Sequence, residues 1–360
     1  MKTRLTSLLG IRYPILLSGM SFISTPELVA AVSNAGGLGI LATGPLDAGQ
    51  TRTAIGTIRR LTDKPFGGNV TLAFPGAEEN ARILIEERVP VINFALGKGD
   101  WIVRETHAYG GKAVATVTNA RHALRAQGFG ADAVIATGNE AAAHGEPVTS
   151  LVLIPSLVDV LHIPVAAAGG FADGRGLAAA LALGAEGIAM GSRFSATVES
   201  PLHPLAKKAI LDKAASETLY SARFDGMPGR AMDSPGARRA MARRFNPLEA
   251  FAGSLEAARL IKQPYHRLFL DVLRSGVRNA VQMACLAMGF RGYRFAIEEG
   301  NLDRGFLPIG QVTGLIHDEP TVAELIGRIV VEARAVQCRI SRILDDGTPQ
   351  TECRETDKGE

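Results

Sequence analysis

Cysteine is scarce in this chain, three among 360 residues. Cys285, Cys338 and Cys353 lie far apart and form no CxxC pair. That excludes a disulfide framework and makes a reducing, cytoplasmic compartment the expectation. No two of the seven histidines stand four apart, so the helical pair that often opens a metal site is missing and no metal is expected. Nor is there an apolar run of about 18 residues, so no membrane-spanning helix is expected. The opening "MKTRLTSLLGIRYP" lacks the apolar core and cleavage site of a secretory leader. A net charge of +3, with cations scattered outside "RRAMARR", is too weak to argue for a nucleic-acid partner.

What remains is a long chain, 46% apolar and 21% charged, with a regular alternation. Short apolar runs recur from residue 11 to about 195: "YPILLSG", "LGILAT", "FGGNVTL", "PVINFAL", "KAVATVT", "ADAVIATG", "IPVAAAGG" and "GIAMGS". Most are followed by a helical stretch, such as "TPELVAAVSNAGG" with Thr25 as N-cap and Pro26 in its first turn. Runs apolar on both faces suit parallel strands covered by helices. Eight such units predict a (β/α)8 TIM barrel, whose ligands sit at the C-terminal strand ends. A doubly wound open sheet is the alternative, but its glycine fingerprint follows the first strand, and here the richest glycine cluster follows the seventh. After residue 220 the texture becomes helical without strand alternation. The expected division is a barrel over 1–220 and 305–342, an inserted helical cap over 221–304, and a disordered tail over 343–360. In the closing segment Leu325, Ile326, Ile329, Val330, Ala333 and Val336 recur at helical spacing and predict a core-facing stripe.

Candidate site residues gather at the strand ends. Gly169 and Gly170 end strand seven; Gly191 and Ser192 end strand eight. In eight-stranded barrels those two loops often form one phosphate site, although the same glycines would serve tight turns. His144, in "NEAAAHGEP" after strand six, is either a general base or anion donor, or a capping histidine. "LLSGM" ends strand one with little bulk and suits a flat ligand. Asn69 and Thr71 place polar groups at the end of strand three, for a ring's heteroatoms or for loop capping. Gln311 is a further polar candidate. Arg238, Arg239, Arg243 and Arg244 form either a solvated helix face or a dock for a phosphorylated partner.

Taken in order, "YPILLSGM", "NAGGLGILA", "PFGGNVTL", "NEAAAHG", "AAAGGFADGRGLAAALALGAEGIAMGSRF" and "GQVTGLIHDEP" resemble the nitronate monooxygenase family, over roughly residues 8 to 340. That family includes enoyl-acyl-carrier-protein reductases and NAD(P)H:quinone reductases. The resemblance implies an FMN-bearing TIM barrel with a helical cap. It places the FMN phosphate on Gly169, Gly170, Gly191 and Ser192, and the ring along Ser18, Gly19 and Met20. Asn69 and Thr71 would contact the flavin, Gln311 would lie near it, and His144 would be the catalytic residue. The strand-one loop departs from the usual "QGGM" by reading "LSGM". The implied activity is oxidation of alkyl nitronates with O2. The alternatives are an NAD(P)H-dependent quinone or enoyl-thioester reductase, the latter with a carrier-protein partner, and a flavin-binding protein without turnover. The expected partners are a small-molecule substrate and, as an allowed assembly, a second copy of the chain.

Overall fold

The computed structural model describes residues 1–74, 76–142, 144–242 and 277–344. Eight parallel strands run in the order β1-β8-β7-β6-β5-β4-β3-β2. They are β1 (Ile15–Leu17), β2 (Gly39–Ala42), β3 (Phe66–Thr71), β4 (Val91–Ala95), β5 (Lys112–Val117), β6 (Ala133–Thr137), β7 (Val165–Ala168) and β8 (Gly187–Met190). A bridge between Leu16 and Leu38 joins the first strand to the approach of the second, and the Leu17 N–H donates to Leu38 O at 2.9 Å. The ring is thereby closed, and the open-sheet alternative is set aside. Helices follow the strands: α2 (Pro26–Asn34), α3 (Ala48–Leu61), α4 (Ala77–Glu86), α5 (Asp100–Ala108), α6 (Ala120–Gly128), α7 (Ser150–Val158), α8 (Gly174–Ala182) and the short α9 (Ser192–Ser195), with α10 (Pro204–Asp212) beyond.

Two apolar layers hold the barrel. Alternate strand residues, among them Leu16, Ile40, Val91, Val114, Ile135 and Ala166, fill its interior. Their neighbours, such as Leu17, Leu41, Val70, Ile92 and Ala167, meet the surrounding helices. The interior cluster also contains Leu5 and Leu9 of α1 (Arg4–Leu9), which plugs the end opposite the catalytic face. Sequence periodicity gave no sign of α1, which is under two turns long and rests on a Thr3–Thr6 capping box.

The last helix, α13 (Val322–Leu344), buries the expected stripe from Leu325 to Ala333 against the body, with Val336 only half-buried. Its backbone comes so close to α8 that a Cβ on Gly174 would overlap Glu332 Cβ and the Ala333 nitrogen. Part of the glycine richness of "GGFADGRG" therefore serves helix–helix approach. Replacing Gly174 by valine should cost about 1–3 kcal/mol through overpacking. Urea unfolding measures it, and an unchanged midpoint would contradict that close approach.

The segment expected to be helical throughout opens instead with an antiparallel ribbon, β9 (Thr218–Ser221) paired with β10 (Gly229–Met232). Four-residue strands reading "TLYS" and "GRAM" carry too little alternation to be recognised. Helices α11 (Pro235–Ala242) and α12 (Val277–Ile297) follow. The tail beyond 344, and with it most of the segment expected to be disordered, lies outside the described residues, as do Arg243 and Arg244.

Candidate active site

Seven of the eight βα loops on one face of the barrel, all but the one after β2, open into a cavity of about 780 Å³, roofed by α12 through Leu286, Phe290, Tyr293 and Ile297. Ten of the eleven candidate residues line it: Ser18, Gly19 and Met20; Asn69 and Thr71; His144; Gly169, Gly170, Gly191 and Ser192. The side chain of Gln311 is not among the lining groups. It begins a 3-10 turn (Gln311–Leu315), and its N–H donates to Glu140 O at 2.9 Å, while its neighbours Gly310 and Val312 face the cavity.

The floor is kept low by small residues. A Cβ on Gly19 would stand 2.5 Å from Asn69 Cβ, and one on Gly191 would stand 3.2 Å from Met20 Sδ. Gly169 and Gly170 both adopt positive φ, +99° and +84°, where a side chain is strained. Their turn lies beside the N-terminus of α9, whose first N–H groups have no partner within the helix. The N-terminus of α8 is different. Asp173 Oδ1 accepts from Gly176 N at 3.0 Å and Glu332 Oε2 from Gly174 N at 2.9 Å, so protein carboxylates already occupy it. The candidate anion cup of this face is thus the pair of loops after β7 and β8. Its donors are mainly backbone groups, with room above them for a flat ring, and this fits a phosphate-bearing flavin.

Along the opposite wall runs a polar chain that sequence reading found only at its first member. Asn69 and Asn93 are register partners on β3 and β4. Asn69 Nδ2 donates to Asn93 Oδ1 at 2.6 Å, and Asn93 Nδ2 donates to Thr116 Oγ1 and Val114 O, each at 3.0 Å. The signal was an asparagine within the apolar run "PVINFAL", a position with no reason to be polar unless it is partnered.

His144 stands on the β6–α7 loop, and the cap holds it there. Its Nε2 lies 2.8 Å from Asp225 Oδ2, and the same oxygen accepts from Tyr293 Oη at 2.7 Å. The Asp225 side chain is 3% exposed against 25% for His144. Burial pushes the Asp225 carboxyl up, but the hydrogen bond and charge of His144, then Tyr293 and the Met227 N–H, outweigh it and hold it below the ordinary carboxylate range. Burial first, and then the Asp225 charge, drive the Tyr293 phenol well above its usual value, so it stays a donor. An ionised Asp225 requires His144 Nε2 to carry its proton. In the neutral ring Nδ1 is then the acceptor, and among the described residues it has no partner.

The ribbon grips the rest of the loop. Arg230 donates to Asn139 O and Oδ1 at 3.2 and 2.8 Å and stacks over Tyr220, whose Oη donates to Gly145 O at 2.6 Å. Glu140 accepts from the Ser150 N–H with both carboxylate oxygens, at 3.0 and 2.9 Å, and so caps the first turn of α7. Gly289 lets α12 approach closely, since a Cβ there would stand 2.5 Å from Asp225 Cβ. Neither Asp225 nor Tyr293 carried a sequence signal, because the partners of His144 are 81 residues or more away along the chain. The cap arginines behave as a solvated face where described: Arg238 pairs with Asp233.

The family model described as nitronate monooxygenase matches residues 2–84 and 76–332. The (3aS,4S,5R,7aS)-5-hydroxy-7a-methyl-1-oxo-octahydro-1H-indene-4-carboxyl-CoA dehydrogenase of Rhodococcus jostii is 38% identical over 344 residues, covering 92% of this chain and 96% of that protein. A Staphylococcus aureus protein named "Probable nitronate monooxygenase" is 32% identical over 279 residues, 65% of this chain and 79% of that one. Among solved structures, FabK from Thermotoga maritima superposes with a TM-score of 0.82 at 37% identity, over 95% of this chain and 99% of that one.

Proposed function

This chain belongs to the nitronate monooxygenase family and is a flavin-dependent oxidoreductase, and on that premise we propose that its substrate is a coenzyme-A thioester with a bulky alicyclic acyl group. The observation that carries this reading is the match to the Rhodococcus dehydrogenase along 92% of the chain, cap included, whereas the Staphylococcus protein matches over 65%. The large cavity, walled on its cap side by Leu286, Phe290 and Ile297, supports it. FMN, when bound, supplies the two-electron acceptor. Gly169, Gly170, Gly191 and Ser192 hold its phosphate; Ser18, Gly19 and Met20 lie along its ring; Asn69 and Thr71 meet its polar edge. His144 Nδ1 exchanges the proton at the reacting centre of the substrate. Asp225 and Tyr293 do not touch substrate in this reading; they fix the ring and its tautomer.

Nitronate oxidation with O2 is the second reading, favoured by the family match and by a histidine suited to an anionic or acidic nitro compound. An anaerobic screen separates them. The purified yellow protein is mixed with an alicyclic hydroxyacyl-CoA, with NADH, with NADPH and with propionate 3-nitronate, and the flavin absorbance is followed. Rapid bleaching by the thioester is the expected result. Bleaching by the nitronate alone would establish the second reading. Bleaching by a reduced nicotinamide alone would make the protein a reductase of a quinone or an enoyl thioester.

A further inference from the structure

The cavity has a charged end that neither the flavin cup nor His144 uses. At the mouth, on the loop after β4 and the first turns of α6, Lys98, His122 and Arg125 line the same space. All three are exposed, and among the described residues neither Lys98 nor Arg125 has a carboxylate partner. Arg125 is held over the Phe129 ring at 5.4 Å, a stacking that orients the guanidinium without consuming its donors. Glu146, a carboxylate on this side, accepts from Asn119 Nδ2 at 2.5 Å. The two acidic residues that line the cavity are both engaged deeper in, Glu140 by Ser150 and Asp225 by His144 and Tyr293. The cavity therefore runs from an apolar interior whose carboxylates are partnered to a rim with two cations, Lys98 and Arg125, that have no ion-pair partner among the described residues.

We propose that this rim is a nucleotide-phosphate site: Lys98 and Arg125 bind the phosphates of a nucleotide-bearing ligand whose reactive end reaches inward to His144, while the His122 ring, with Asn119 Nδ2 and Arg121 Nη2 beside its two nitrogens, only borders the site. The proposal rests on the coenzyme-A reading for its first candidate ligand, the phosphorylated adenosine end of a coenzyme-A thioester. The 2′-phosphate of NADPH offers the same chemistry, and the measurements distinguish the two. Forked and point-charge donors together suit phosphate oxygens at a wet rim, where binding should weaken as salt rises.

The test is calorimetric binding to the flavin-loaded wild type and to a Lys98→Ala/Arg125→Ala double variant. The probes are coenzyme A, pantetheine, NADPH and NADH. Both substitutions lie on exposed side chains, and a retained flavin spectrum confirms that the variant is folded. The expected result is coenzyme-A affinity lowered by at least about tenfold, with binding of pantetheine, which lacks the nucleotide, unchanged. An equivalent loss for NADPH relative to NADH would support the site with the nicotinamide phosphate as its ligand. Unchanged affinity for both coenzyme A and NADPH, or an equal loss for pantetheine, would overturn the proposal. Failure of thioesters to bleach the flavin alongside a selective NADPH loss would sink the thioester substrate and leave the phosphate site standing.

Discussion

Replacing His144 by alanine is expected to leave the protein yellow and folded while lowering kcat by about 10²–10⁴-fold, the range for loss of a positioned acid–base group. The side chain lies on a loop at the cavity wall, 25% exposed, and makes one recorded hydrogen bond, to Asp225. Its removal does not touch the β7 and β8 loops where the flavin phosphate is placed, so absorbance and cofactor content should be retained. Stopped-flow reduction by the active donor is the direct measurement. Wild-type reduction in the variant would remove His144 from the chemistry, whichever substrate proves right.

The second large effect is expected at Asp225. In Asp225→Asn the ring keeps a hydrogen-bonding neighbour of the same shape but loses the carboxylate acceptor that fixes its tautomer. Turnover should fall by at least about tenfold at neutral pH, as expected when a fixed charge pair is lost. The loss should fall on kcat with KM nearly unchanged, because the carboxylate orients the ring and does not touch substrate. A purely structural role for Asp225 would instead lower the folded, flavin-loaded fraction without changing turnover per flavin. Stability gives an independent check. Asp225 is held below its ordinary value in the folded protein. Its contribution is therefore complete above the unfolded carboxylate value and is lost as pH falls through the folded one. Thermal midpoints of the wild type should drop more steeply on acidification than those of the variant. Asp225→Ala, which strands Tyr293 Oη and His144 Nε2, should be the more damaging change, by about 1–3 kcal/mol for donors left without their acceptor.

How much of this was legible beforehand follows from the range of the interactions involved. The eight strands were legible because burial on both faces writes itself as continuous apolar runs, and the glycines after β7 and β8 pointed to loops that do line the cavity. The polar wall was visible only at Asn69; Asn93 and Thr116 gain meaning from register pairing across neighbouring strands. Asp225 was invisible because "FDGMPGR" reads as an ordinary turn, and nothing local reveals that it folds back onto a loop 81 residues earlier. Gly174 lies in the same glycine-rich stretch as Gly169 and Gly170, yet the space it clears belongs to α13. Gln311 sits in the expected segment, but it is the backbone of that segment, not the glutamine side chain, that meets the Glu140 loop.

The order in which the ring closes has a consequence for synthesis in the cell. One edge of β1 meets Leu38 early in the chain, but the other finds its partner in β8, where Ile15 pairs with Ile188, and α13, the last described helix, is the one that seals α8. A nascent chain emerging from the ribosome therefore exposes the unpaired edge of β1 until residue 190 is clear of the tunnel, and lacks its final brace until the last helix is made. Long-range closure of this kind is slow and exposed to aggregation. Truncation before α13 should accordingly lower soluble yield at high expression temperature far more than it lowers the activity of the molecules that do fold, and cooling or chaperone co-expression should recover most of the loss.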